Sequence, residues 1–258
     1  MCGRYSDAAE LTDIRLTFEV KQVELFREWK PTYNITPSYG PGFEQLMVVA
    51  TREGERALRL GRFWMIPPSW TKPLNELPTS FNARGEELAR KPLWRAAFRG
   101  ARCLIPATGW REFTGTTGHK QPHHFHLGQS LFAFAGLASR FTSPEGEVVD
   151  SFAIVTTAAS PAVETIHDRM PLVLPKDDYG AWLDAKADPE PVLAHAIELS
   201  RWLPLEVYPS DPIANSGRYE GPRAIERVTA LPPPKSLPVQ GSLFGEEAAP
   251  PRGRRSKP

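Results

Sequence analysis

Five strand-like runs follow one another between residues 101 and 157, at 101–105, 109–114, 122–127, 131–135 and 148–157. Strands in direct succession are joined by turns and pair antiparallel, because a parallel neighbour needs a crossover of about a dozen residues or more. Two further runs, 45–51 and 57–63, flank Glu53-Gly54 like the arms of a hairpin. Helical patterns lie around this block instead of alternating with it. The stretch 7–20 carries Leu11, Ile14 and Phe18 at helical spacing behind an Asp7 cap. Short helices are expected at 84–90 and 93–99, separated by Pro92, and later ones at 176–185 and 190–199. The loop 31–41 is turn-rich and excludes a helix. The expected class is α+β: one domain over residues 1–230, with a mainly antiparallel twisted sheet or barrel flanked by short helices. From Leu231 the text turns to Pro-Pro-Pro-Lys-Ser and closes on Pro-Pro-Arg-Gly-Arg-Arg-Ser-Lys-Pro, which predicts a disordered tail over 231–258.

Composition excludes more than it identifies. No apolar run approaches the roughly 20 residues that span a bilayer. Arg4, Asp7, Glu10 and Asp13 break any signal-peptide pattern. With only Cys2 and Cys103, a disulfide framework and a zinc cluster are both excluded, and a reducing cytoplasm is the expected compartment. The tail holds five basic and two acidic residues, so subtracting its +3 from the total of +1 leaves the body at −2. Any nucleic-acid contact by the body must therefore come from a local patch.

Chemistry concentrates at the chain start, Met1-Cys2-Gly3-Arg4-Tyr5. Loss of Met1 would leave Cys2 with an α-amine and a thiol on adjacent carbons. An aldehyde condenses with such an amine to an imine, and the neighbouring sulfur closes a five-membered thiazolidine. An α-amine titrates near ~8, so part of it is neutral at pH 7, unlike a lysine near ~10.4. The thiol, near ~8.5, is partly thiolate. The alternative is that Cys2 is an early residue of an N-terminal strand.

Four internal clusters add polar groups. Asn34, in Tyr33-Asn34-Ile35-Thr36-Pro37, is a turn residue or a catalytic amide. Asn82-Ala83-Arg84-Gly85-Glu86 reads as a helix cap, or as a phosphate site built from Arg84 and helix-start N–H groups. In the strand 109–114, Trp110 and Glu112 share one face while Arg111 and Phe113 share the other. A carboxylate beside a large aromatic is desolvated and its pKa rises, whereas a surface salt bridge would leave it ordinary. His167, between Ile166 and Asp168-Arg169, is a structural hydrogen-bonding residue or a proton shuttle.

These motifs, in this order and rough spacing, resemble the SOS-response-associated peptidase (SRAP) family of abasic-site processing proteins, over roughly residues 2–209. The resemblance implies that Cys2, exposed by loss of Met1, bonds covalently to the ring-opened sugar aldehyde of an abasic site in single-stranded DNA. It implies that Asn34 orients the Cys2 amine, that Glu112 is the acid/base carboxylate, and that His167 transfers protons. Arg4, Asn82, Arg84, Phe113 and Arg169 would contact the DNA. It implies a monomer with no cofactor and no metal, nucleoid-associated when DNA is damaged, with autopeptidase and abasic-site lyase activities. Two positions depart from the family pattern: Phe113 stands where a tryptophan is usual, and Phe63-Trp64 replaces Trp-Gly.

Other readings compete. Class II glutamine amidotransferases also begin Met-Cys-Gly and use the exposed cysteine, but this chain has no Asn-Gly pair for their oxyanion element. A cysteine peptidase would pair Cys2 with His167, and a non-catalytic single-strand binding module is the fourth reading. His124 and His126 share a strand face, yet no further ligand cluster completes a metal site. In the tail, Gln240-Gly241-Ser242-Leu243-Phe244 is similar to the bacterial sliding-clamp-binding pentapeptide, which makes Gln240, Leu243 and Phe244 candidate clamp contacts.

Overall fold

The computed structural model describes residues 3–128 and 131–230; Cys2 and the tail residues Gln240, Leu243 and Phe244 lie outside them. Among the described residues, fourteen strands and four α-helices run in the order β1 (Tyr5–Asp7), α1 (Leu11–Thr17), β2 (Gln22–Glu24), β3 (Thr32–Ile35), β4 (Glu44–Ala50), β5 (Arg56–Phe63), β6 (Asn82–Arg84) and α2 (Pro92–Gly100). The central block follows as β7 (Arg102–Ala107), β8 (Gly109–Thr116), β9 (His119–His126), β10 (Phe132–Thr142) and β11 (Val148–Ala158). The chain ends its described part with β12 (Arg169–Pro171), β13 (Val173–Leu174), α3 (Tyr179–Leu183), α4 (Pro189–Arg201) and β14 (Glu206–Pro209). The class is α+β, as the succession of strands requires.

Five strands close into a barrel. β11, β10, β7, β4 and β5 pair antiparallel in that order, and a parallel contact, Ser151 with Arg62 and Phe152 with Phe63, joins β5 back to β11. Alternation along each strand then sorts two cores. Met47, Val49, Ile105, Phe134 and Phe152 share one cluster, whereas Leu46, Val48, Leu104, Ala135 and Ala153 share another with Phe18, Trp94, Phe98 and Trp182 of the surrounding helices.

A second, wholly antiparallel sheet, in the order β14-β9-β8-β1-β3, lies against the first cluster. Tyr5 of β1 meets Phe63 and Phe134 edge-on, with ring centroids 5.4 and 5.8 Å apart. Trp110 of β8 stacks on Phe125 at 5.0 Å and meets Phe134 edge-on. Each such pair contributes about 0.5–1.5 kcal/mol beyond its buried area. The N-terminal strand is thus sewn into the core from its first residue.

Two local expectations need correction. The first helix starts at Leu11, with Glu10 as its cap, and Asp7 belongs to β1 instead. Residues 84–90 form no α-helix: a single 3-10 turn, Gly85–Glu87, follows β6, so Asn82 is a strand residue and not a cap. Arg84 therefore stands before a 3-10 turn and not at the start of an α-helix. The turn-rich loop 31–41 holds no helix, and it contains β3, paired with Tyr5 and Asp7. Among the described residues, no helix is long and apolar enough to cross a membrane.

Candidate active site

β8 carries Glu112 to the junction between the barrel and the second sheet. The residue is 3% exposed, and burial pushes its pKa up to about 7. Both faces of β8 are dry here, since Trp110 and Arg111 are each 0% exposed. His167 approaches from the turn after β11, which Ala159 N–H closes by donating to Asp168 O at 3.0 Å. The His167 Nε2 atom lies 3.9 Å from Glu112 Oε2, too far for a direct hydrogen bond. His167 Nδ1 accepts the Arg169 N–H at 2.9 Å, which in the neutral ring places the proton on Nε2, facing Glu112. The same Nδ1 lies 2.8 Å from Asp168 Oδ1, a carboxylate that becomes its partner when the ring is protonated. Burial holds the His167 pKa below its ordinary value.

β6 and β12 flank β11 on this side. Asn82 is half-buried opposite Ile154, and Arg84 is exposed opposite Thr156. Arg169 forms a two-pronged pair with Glu86, at 2.7 and 3.0 Å, and donates to Thr156 O at 2.8 Å. Glu86 is accordingly held below the usual carboxylate range, chiefly by hydrogen bonding to Arg169. Phe113, half-buried on β8, has Arg4 and Lys120 each 5.9 Å from its ring centre.

Asn34 sits in a second network. Its Oδ1 accepts from Arg4 and Arg111, and its Nδ2 donates to Ser216 O and Tyr219 O. Those four bonds fill the capacity of an amide side chain. Arg111, Glu220 and Glu86 are the parts that sequence reading did not single out: their partners are distant in the chain, and no local pattern marks them. His124 and His126 do share a face. They stack at 5.7 Å and pack with Tyr208, and burial drives the His124 pKa down to about 3. Trp64 packs on Phe81 at 5.1 Å and donates to Pro78 O. Cys103 is wholly buried in the barrel, and burial pushes its thiol pKa up, which makes it inert as a nucleophile.

A buried carboxylate with its pKa raised to about 7 and an imidazole 3.9 Å from it lie on and beside the strand that pairs with β1, a class of site able to exchange protons. Comparison with known proteins gives the family. Residues 1–214 match the family described as SOS response associated peptidase (SRAP), and the chain belongs to that family. It is 32% identical over 231 residues to the abasic site processing protein YoqW of Bacillus subtilis, covering 88% of this chain and 99% of that one. It is 26% identical to the abasic site processing protein HMCES of Xenopus tropicalis, over 88% of this chain and 78% of the relative. Among solved structures, a Bacteroides thetaiotaomicron protein shares the fold, with a TM-score of 0.75 at 18% identity over 88% of this chain and all of its own. A phage-related protein of Bordetella bronchiseptica aligns with a TM-score of 0.59 at 28% identity, over 81% of this chain and 93% of its own.

Proposed function

We propose that this protein captures abasic sites in single-stranded DNA as a covalent thiazolidine on Cys2, after removal of Met1. The observation that carries the proposal is Glu112, buried and held at about 7 beside His167, on the strand that pairs with β1 two residues from the chain's first described residue. The Cys2 amine adds to the C1′ aldehyde of the ring-opened sugar and passes a proton to the Glu112 carboxylate. The protonated carboxyl returns it to the former aldehyde oxygen, which gives the carbinolamine; the second N–H proton takes the same route to that hydroxyl, so water leaves and a neutral imine remains. The Cys2 sulfur then bonds to the same carbon and its proton passes to the nitrogen. The net change is aldehyde plus aminothiol to thiazolidine plus water, with no oxidant.

An oxygen about 2.8 Å from both groups can bridge Glu112 and His167 across their 3.9 Å gap, so the sugar hydroxyl or a water completes the relay. Duplex pairing would bury the sugar, which favours a single strand. Arg84 offers an exposed cation to the backbone and Phe113 a ring to a base, while Asn82 lines the approach. Arg4 and Arg169 spend donors on protein acceptors and brace this surface. Incubation with an abasic oligonucleotide is the test. Intact mass is expected to rise by the oligonucleotide less one water, and Cys2→Ala is expected to abolish the adduct. An adduct of equal yield in Cys2→Ala would overturn the proposal.

A second proposal concerns the tail, where an apolar Leu243-Phe244 pair lies in a polar, proline-rich stretch and fits a sliding-clamp peptide. Replacing both residues by alanine is expected to abolish clamp binding; unchanged binding would refute it.

A further inference from the structure

We propose that Asn34, Arg111 and Glu220 are positioning residues that fix the reactive N-terminus through Arg4, an inference that rests on the capture chemistry proposed above. Arg4 is two residues from Cys2, so Cys2 Cα lies within about 7 Å of Arg4 Cα wherever it points. Whatever holds Arg4 therefore limits where the amine and thiol can be. The backbone of Arg4 is held by Arg111 N–H, which donates to Arg4 O at 2.9 Å and extends the pairing of Tyr5 with Trp110 by one residue. That register carries the chain towards Glu112, the residue after Arg111.

The side chain of Arg4 is held as firmly. Its Nη1 donates to Asn34 Oδ1 at 3.1 Å and to Ala214 O at 2.7 Å, and its Nη2 donates to Asn215 O at 3.3 Å. Asn34 is held in turn from three directions. Arg111 Nη2 donates to Asn34 Oδ1 and to Tyr33 O, both at 2.9 Å. Asn34 Nδ2 donates to Ser216 O and Tyr219 O at 2.9 and 2.8 Å. The Glu220 carboxylate accepts the backbone N–H groups of Tyr33 and Asn34. Gly217 lies close beside the guanidinium, where a Cβ would stand 3.3 Å from Arg4 Nη2.

The arrangement has a physical logic. Arg111 is 0% exposed, and a buried guanidinium is costly unless acceptors are supplied. Asn34 and Tyr33 supply them, so the cation and the amide lock each other. A short strand of three residues at a chain end would otherwise fray. The loop 212–220, folded back from the far end of the domain, closes the lock over β1 and β3. Asn34 on this account acts on Arg4 and not on the Cys2 amine.

The test uses the full chain in three forms: parent, Arg111→Met and Asn34→Leu, with Arg111→Lys as a conservative variant. Arg111→Met removes the buried charge itself and leaves behind only the uncharged acceptors Asn34 Oδ1 and Tyr33 O, and a thermal melt of each form shows that it is folded. Two readouts are needed. The first is single-turnover adduct formation on an abasic oligonucleotide, with affinity measured separately on an oligonucleotide carrying an unreactive tetrahydrofuran site. The second is amide hydrogen exchange over residues 3–8. In both apolar variants the maximal adduct rate is expected to fall about 10- to 100-fold, while tetrahydrofuran-site affinity stays within about twofold. Exchange over 3–8 is expected to quicken at least about tenfold, and Arg111→Lys is expected to fall between parent and Arg111→Met in both readouts. Parent-like exchange and rate in both apolar variants would overturn the inference, as would a loss confined to affinity. If the parent itself forms no adduct while exchange still quickens, the capture chemistry fails and the positioning of Arg4 stands.

Discussion

Glu112 and Asp7 are both buried carboxyls, yet they ask different questions of the same physics. Each is pushed up to about 7 by burial; for Asp7 the Ala9 N–H offsets only part of the rise. Glu112 lies 3.9 Å from His167, and in the proposed chemistry its protons serve the reaction. The parent's adduct rate is expected to bend near pH 7, and Glu112→Gln to lower the maximal rate about 100-fold or more and remove that bend. Rates measured from pH 5 to 9 decide this, and an unchanged profile would separate Glu112 from the chemistry. Asp7, 1% exposed in β1, has no part in the proposed chemistry, and its proton bears on stability. The fold binds that proton more tightly than the unfolded chain does, so its stabilising effect is complete below the ordinary pKa of 3.8 and is lost as pH rises towards 7. Parent stability should therefore fall by about 2–3 kcal/mol more than that of Asp7→Asn between pH 5 and 8. Urea unfolding at the two pH values measures the difference. At this scale the sequence was half legible. Alternation along β8 placed Glu112 beside Trp110, which is a local property. Asn34's partners lie 30 to 185 residues away, and nothing within a strand-length window could announce them.

Elements were legible in proportion to their length and their burial. The barrel strands β4, β7, β10 and β11 carry apolar runs because both faces meet a core, and β5 sends Leu58 and Leu60 into one core and Ala57 and Phe63 into the other between its arginines. β6 and β12, at three residues each, have no period to read. They exist because β11 offers an edge beyond its pairing with β10. The same cause defeated the helix at 84–90: Asn82, Ala83 and Arg84 gain ladder bonds from β11 that outweigh helical preference. Contact between β8 and β9 is where an element-scale prediction falls. A Cβ on Gly109 would stand 2.4 Å from the His124 ring and 2.7 Å from Phe125 O. Backbone cannot step aside as a side chain can. Gly109→Ala is expected to cost about 1–3 kcal/mol and, by shifting β9 against β8, to slow adduct formation through Glu112 three residues on. Thermal melts and adduct rates check both parts; a variant with parent-like melting and rate would show that the strands can part there without consequence.

Charge belongs to the molecule as a whole. The body carries −2 and the tail +3, so a domain whose proposed substrate is a polyanion has its net positive charge outside the domain. Within the site, Glu86 already pairs with Arg169, which leaves the exposed Arg84 as a local attraction on β6. A tail with this composition supplies an electrostatic term. Each phosphate neutralised on a single strand adds roughly 0.7 to the slope of log affinity against log salt. Three net charges then account for a slope of about 2. A chain ended after Ala230 is expected to bind a tetrahydrofuran-site oligonucleotide more weakly than the parent at about 50 mM salt, with a shallower slope, and equally well at about 300 mM. Its maximal adduct rate should not change, because Glu112, His167 and the Arg4 network all lie within the domain. Fluorescence anisotropy across a salt series measures the slope, and single-turnover kinetics measures the rate. Equal slopes for the two proteins would place the attraction on the domain itself, and a slower maximal rate in the shortened chain would give the tail a part in the chemistry.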